Sequence, residues 1–297
     1  MPRTTATPAL SGATRLFRAP AARYLTVPVG FLLIFFFLPL ILIVLVSFTS
    51  SFPSASITLT TSNYVQFFGS SLYRAYLLTT IVYGLEVTVL CLLMGYPLAY
   101  YMVRQRGLVY QITLLAVIAP LLVGVVPRTV GWIAVLGTEG VINNILLGLH
   151  LSRRPLTLLY NPTAAVVGLA HVLLPFMVLS IASVLSLIDR SLREAAQNLG
   201  AGELQIFRRI TIPLSLHGVA VGCALVFSLA IGSYITPVVL GGGKMKLLAP
   251  LAYDQFLNYP NWPFGSAVGV VLLVTGLVFV VGLPALVVMR RQAAGAS

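Results

Sequence analysis

Six long runs of apolar residues constrain this chain more than any other feature. A helix needs about 20 mainly apolar residues to cross the hydrocarbon core of a bilayer. Segments near 27–48, 77–103, 111–137, 164–188, 217–240 and 264–289 meet that requirement. The runs are continuous, whereas a membrane β-barrel would show short alternating segments of about 10 residues. The first run, Val27 to Phe48, exceeds the roughly 7–15 residues of a signal-peptide apolar region and is read as a retained anchor. Composition agrees. Of 297 residues, 59% are hydrophobic and 8% charged, against about 25% charged in a soluble domain. The sequence therefore predicts an all-α integral membrane protein with six transmembrane helices. The excess of Lys and Arg falls between apolar runs, so it is assigned to the membrane surface and its lipid rather than to nucleic acid.

Loop charges give an orientation. With the N-terminus cytoplasmic, Arg3, Arg15, Arg18, Arg23, Arg104, Arg106, Arg190, Arg193, Arg208, Arg209, Arg290 and Arg291 lie inside. Only Arg74, Arg153, Arg154, Lys244 and Lys246 lie outside. The positive-inside bias places both termini in the cytoplasm, and an even number of spans agrees. The chain divides into a cytoplasmic tail (1–26), a membrane domain (27–289) and a second tail (290–297). The Thr/Ala/Pro-rich residues 1–14 are expected to be disordered. Residues 49–76, with Tyr64, Phe67, Phe68 and Tyr73, are expected to form an external loop ending in an interfacial helix.

The connection at about 189–213 is the most informative stretch. Ser191 followed by Glu194 is a capping-box pattern and predicts a helix start. Leu192, Ala195, Ala196 and Leu199 share one face of that helix. Gly200 suits the left-handed position that ends it. A second helix restarts at Glu203, favourable near a positive helix terminus, with Leu204, Phe207 and Ile210 as its apolar face. Pro213 fits the first turn of the next span. On these residues alone the elbow is either an amphipathic connector on the bilayer or a docking surface for another protein.

Glu194-Ala195-Ala196, then Gly200, then Ile210-Thr211-Ile212-Pro213 resembles the EAA loop of binding-protein-dependent ABC importer permeases, with Ile212 where that family prefers Leu. Arg128-Thr129-Val130-Gly131-Trp132, Leu174-Pro175-Phe176-Met177, Pro237 to Gly242 and Asn261-Trp262-Pro263-Phe264-Gly265 are similar to the spermidine/putrescine-like branch. The likeness covers roughly 60–285. It implies the type I ABC importer permease (MetI-like) fold. It also implies cytoplasmic ATPase subunits, a second permease subunit (a heterodimer with a similar chain), a periplasmic solute-binding protein and a small cargo of polyamine type. The coupling loop would dock through Glu194, Ala195, Ala196, Gly200, Ile210 and Pro213. The chain itself would be non-catalytic and without cofactor, in the inner membrane.

The residues agree with that division. No G-x-x-x-x-G-K-[ST] phosphate loop occurs, and Gly241-Gly242-Gly243-Lys244 lacks its spacing. Cys91 and Cys223 sit in apolar runs with no metal-ligand spacing. His150, His171 and His217 join no catalytic constellation. A stand-alone secondary transporter or channel is the alternative. Such carriers usually show several intramembrane ionisable groups, and here Glu86 is the single embedded acid. Glu86 and Arg128 fall at similar depths in successive spans. Embedded charges tend to pair, so an interhelical Glu86–Arg128 pair, direct or through water, is the first expectation, and a pathway role for Glu86 in attracting cationic cargo is the second. Pro39, Pro97, Pro120, Pro127, Pro175, Pro237 and Pro284 are capable of kinking the spans so that they curve around a cavity, or are there because proline is common in membrane helices.

Overall fold

In a computed structural model of the chain, residues 18–53 and 58–295 are described, with side chains over 28–53 and 58–285. The expectation of disorder at 1–14 lies outside the described residues. Thirteen α-helices occur among the described residues. They are α1 (Arg18–Ser47), α2 (Ser62–Gly69), α3 (Ser71–Arg104), α4 (Gly107–Leu122), α5 (Val125–Leu136), α6 (Val141–Gly148) and α7 (Pro162–Leu185). Then follow α8 (Arg190–Asn198), α9 (Glu203–Ile206), a π-turn (Phe207–Thr211), α10 (Ile212–Ile231), α11 (Ile235–Leu240), α12 (Leu248–Leu257) and α13 (Trp262–Gly295). Six stretches are long and apolar enough to cross a membrane.

The core is the bundle of α3, α7 and α10. Between apolar helices in lipid, association depends on close van der Waals packing, so small residues mark the contacts. Gly84 of α3 is such a contact: a Cβ there would stand 2.7 Å from Ile231 Cγ2 and 2.8 Å from Phe227 Cε2. Tyr83, Val87, Cys91, Met177, Val178, Ile181 and Val226 fill the space around the crossings. Buried polar groups find acceptors. Tyr83 Oη donates to Ala165 O at 3.3 Å, and Cys91 Sγ donates to Ala170 O at 3.4 Å. Thr80 Oγ1 accepts from Leu248 N at 2.9 Å, tying α3 to the start of α12.

At the end opposite the 189–211 connection, α2 fits the expected short helix in 49–76. Asn63 Nδ2 donates to Ser47 O and Thr49 O, both at 2.9 Å. It thereby satisfies carbonyls left open where α1 ends. Phe67, Tyr73, Phe264 and Leu248 build a second apolar cluster there. α1 packs on α13 and otherwise presents Phe31, Phe35, Ile41 and Leu45 outward, as lipid would require.

Two expected spans are broken. The run 111–137 does not form one helix: α4 ends at Leu122, Val123 and Gly124 are extended, and α5 begins at Val125. The fifth run, 217–240, stops at Ile231 and resumes as α11 after Gly232, Ser233 and Tyr234. Pro127 and Pro237 are among the kink-capable prolines, yet each sits in the first turn of a half-helix, where its missing N–H costs nothing. Pro39, Pro97, Pro120, Pro175 and Pro284 do lie inside helices. At the C-terminal end, α13 continues through the expected tail as far as Gly295.

The Gly84 contact is testable. Gly84→Val puts two methyl-bearing branches where one Cβ already collides, and overpacking costs about 1–3 kcal/mol. We expect a lowered melting temperature of the detergent-solubilised protein, while Gly30→Val, at an unobstructed position, leaves it unchanged.

Candidate functional site

The connection from α7 to α10 is built by local chemistry. α8 is capped by Asp189, whose carboxylate accepts from Ser191 N at 2.9 Å. The sequence pointed to Ser191 as the cap with Glu194 as its partner. The correction has a plain cause: Asp189 stands two residues earlier and a carboxylate suits the positive helix terminus better than a hydroxyl. Glu194 is thereby released and pairs with Arg190 one turn back, Oε1 to Nε 3.2 Å. The Ser191 N–H holds the Asp189 carboxyl below the usual carboxylate range.

α8 ends as expected. Gly200 has φ +80°. Gly200 N donates to Gln197 O and Ala201 N to Ala196 O, the paired bonds of a Schellman motif. A side chain at Gly200 would be strained by that φ.

The sequence reading missed what stiffens the elbow. Glu203, expected only to favour a helix start, gathers three partners. Arg193 Nη2 lies 2.7 Å from both of its oxygens, Gln197 Nε2 donates at 2.9 Å, and Arg104 Nη2 stands 3.6 Å away. Arg104 comes from the end of α3, and its guanidinium lies 4.0 Å over the Tyr100 ring. Glu203 thus joins α8, α9 and the core helix α3. The bonds to Glu203 raise the Arg193 guanidinium above its ordinary value. No local motif announces a contact between residues ten apart, so sequence offered no signal for it beyond the opposite charges.

Leu204 is 62% exposed, while Ile206, two residues on and so on the opposite side of the same short helix, is 3% exposed, which corrects the expected Leu204–Phe207–Ile210 face. Phe207 meets Tyr96 and Tyr100 edge-on, at 5.9 and 5.1 Å between ring centroids. Tyr96 Oη and Ser215 Oγ share a 2.9 Å hydrogen bond. Pro213 stands in the first turn of α10. Ile210, Thr211, Ile206, Tyr100 and Arg193 line a cavity of about 570 Å³ between the elbow and the core helices.

Against this stiff frame the outer face of α8 is bare. Glu194 and Ala195 are exposed and Ala196 is half-buried; Leu192 is 47% and Leu199 88% exposed. The structure brings Glu194, Ala195, Ala196 and Gly200 onto one elbow, with Ile210 and Pro213 on its return limb toward the core. It does not bring Glu86 and Arg128 together. None of the ion pairs among the described residues joins them. Glu86 is exposed on α3. Arg128 Nη1 instead donates to Pro120 O at 2.6 Å. The break after Leu122 frees carbonyls at the end of α4, and they are nearer acceptors than a carboxylate on another helix.

An all-helical bundle with six stretches able to cross a membrane, and an elbow presenting an exposed amphipathic helix, defines a polytopic integral membrane protein. The family described as "Binding-protein-dependent transport system inner membrane component" matches residues 9–293, and the chain belongs to that family. It is 36% identical over 256 residues to the spermidine/putrescine transport system permease protein PotB of Escherichia coli K12, covering 85% of this chain and 93% of the relative. It is 34% identical over 257 residues to the PotB of Haemophilus influenzae, covering 84% and 89%. Among solved structures, a chain of a bacterial ABC transporter that imports the acidic polysaccharide alginate superposes with a TM-score of 0.68 at 20% identity, covering 93% of this chain and 99% of that one. A chain of the MetNI methionine ABC transporter gives 0.56 at 17% identity, covering 71% and 93%. The protein is the non-catalytic, multi-pass inner-membrane permease subunit of an ABC importer; the ATPase is a separate subunit, and a binding protein and a further permease subunit complete such assemblies.

The elbow's cap is open to test. Asp189→Ala should raise amide exchange over 190–195, whereas Asp189→Asn, also a good cap, should leave it low. Because the folded-state carboxyl titrates below its unfolded value, the cap is complete above the usual carboxylate range and is lost as pH falls through the depressed value. Equal exchange in both variants would contradict the capping role.

Proposed function

We propose that the chain carries a polyamine-type organic cation across the inner membrane, and that the 189–213 elbow is the surface gripped by the ATPase subunit. The observation that carries this reading is the uncovered apolar face of α8 on an elbow locked to α3 through Glu203. A helix meant only to rest on lipid has no need of a three-residue clamp to the core. Glu194, Ala195, Ala196 and Gly200 are the contact residues of the proposal: the alanines admit close approach, and Gly200 sets the bend. Ile210 and Pro213 pass the motion into α10. A ligand shifts a two-state equilibrium only through unequal affinity for the two states. ATP therefore acts by favouring one ATPase arrangement, and the elbow carries that choice into the bundle.

The proposed orientation puts the elbow and both termini in the cytoplasm, supported by the positive-inside distribution of Arg and Lys. The domain limits of the reading are 1–26, 27–289 and 290–297. The second permease subunit is proposed to be a different, similar chain, as likeness to the spermidine/putrescine branch suggests. The cargo class rests on the two PotB relatives. Glu86, exposed on α3 without an ion pair among the described residues, is proposed to face the pathway and favour cations there.

Two measurements test the docking and its side. Ala195→Asp buries an unpaired carboxylate if the ATPase covers α8, a cost of about 3–5 kcal/mol by analogy with broken buried pairs. Co-purification of the ATPase subunit should then fall by more than a hundredfold, with the membrane subunit still folded because the site is exposed. Retention of the ATPase at the unaltered level would overturn the docking. In Leu199→Cys, a membrane-impermeant maleimide should label inverted vesicles and spare intact spheroplasts, and added ATPase should block the labelling. Labelling only from the outer side would reverse the orientation.

A further inference from the structure

Arg128 occupies an expensive position. α4 has 16 residues, about 24 Å at 1.5 Å per residue. α4 alone is thus shorter than an apolar core of about 30 Å, and a chain entering the core at Gly107 breaks before it has crossed. Nη1 of Arg128 is used by Pro120 O, but Nε is buried with no hydrogen-bond partner among the described residues. Around it, Leu122, Val123, Val125 and Val126 are 42–76% exposed, and Gly124 and Pro127 are exposed as well. Non-helical backbone at membrane depth is tolerated only where protein covers it or where it lines a water-filled cavity. A charged side chain obeys the same rule. Lipid therefore does not face this break; the pathway or the second permease subunit does.

The second break, Gly232 to Tyr234, leads into α11, which packs on α5. The two interrupted spans thus meet through the half-helix that carries Arg128. One turn beyond Arg128, Trp132 meets His171 of α7 edge-on at 5.6 Å. No carboxylate forms an ion pair with Arg128 among the described residues. Among the described residues the Pro120 carbonyl is the hydrogen-bond partner of its guanidinium beside the broken helices.

We propose that Arg128 is a charge barrier, its guanidinium held in the α4–α5 break so that the closed pathway stays impermeable to small inorganic cations. The inference builds on the importer reading, because an importer must pass its cargo without dissipating ion gradients. A fixed positive charge raises the energy of any cation in a narrow polar passage. A cationic cargo would cross only after the bundle rearranges and carries Arg128 away from the axis.

The test uses the complete complex of this chain, its partner permease and its ATPase in liposomes, without ATP or binding protein. Passive potassium and chloride fluxes are measured separately. Arg128→Gln keeps a donor for the Pro120 carbonyl and removes the charge. It should raise potassium leak by on the order of tenfold, the scale of a unit charge acting across roughly 10 Å at an effective dielectric of about 20. Chloride leak should not rise, and Arg128→Lys should be as tight as the unaltered complex. A potassium flux unchanged by Arg128→Gln would overturn the barrier. So would equal increases in potassium and chloride flux, which mean lost packing. A second variant protects against misassembly: Arg128→Cys, modified after assembly in a chain with Cys91 and Cys223 replaced by Ala. A thiol reagent bearing a quaternary amine should restore tightness, and a neutral reagent of like size should not; equal restoration by both would contradict the proposal. Absence of ATP-driven spermidine uptake by the unaltered complex, with binding protein supplied, would sink the cargo reading and leave the leak comparison standing.

Discussion

In the apolar core of a bilayer, no water is present to satisfy a backbone N–H or C=O. That constraint organises this chain. Where a helix faces lipid it is continuous and apolar, as in α1. Where two helices face each other they do so through small residues, as at Gly84 between Phe227 and Ile231. Where the helix stops at depth, at Val123–Gly124 and at Gly232–Tyr234, the freed backbone needs another partner. Arg128 answers part of that need at Pro120. Interruptions therefore single out the side of the bundle that lipid does not touch.

The elbow obeys the opposite rule. Outside the core, water satisfies polar groups at no cost and an isolated surface ion pair contributes only about 0–1 kcal/mol. The Glu203 cluster is significant for its geometry: one carboxylate holds side chains from α8 and from the end of α3, while Phe207 seats between two tyrosines of α3. A force on α8 has two routes into α3, and one into α10 through the π-turn. A flexible tether would dissipate the same force. The Schellman closure at Gly200 fixes the angle between the limbs.

Much of this was legible in the sequence because the signals are strong and local. Twenty apolar residues in a row have few alternatives, and Gly200 after an amphipathic turn reads directly as a helix end. The hidden features are those that depend on distant partners or on competition between neighbours. Asp189 displaced Ser191 as the cap by being two residues earlier. Ile206 faces inward and Leu204 outward, because apolar residues at 204, 206, 207 and 210 allow two overlapping faces and only the contact with α3 selects between them. Hydropathy treated 111–137 as one span because Val123 and Gly124 are as apolar as their neighbours. The breaks are written in backbone conformation instead. No direct Glu86–Arg128 ion pair forms among the described residues, since similar depth along two helices says nothing about which way each side chain points, and Arg128 turns to the Pro120 carbonyl instead.

In the proposed cycle the elbow transmits force through the Glu203 clamp, beyond serving as a place of attachment. The most direct measurement is the ratio of ATP hydrolysed to cargo imported in Glu203→Ala, with the reconstituted complex and saturating binding protein. The exposed α8 face is untouched, so ATPase subunits should remain bound and hydrolysis should persist, while the number of ATP molecules spent per cargo rises several-fold. An unchanged ratio at full uptake would show that the clamp carries no force, and would contradict the claim.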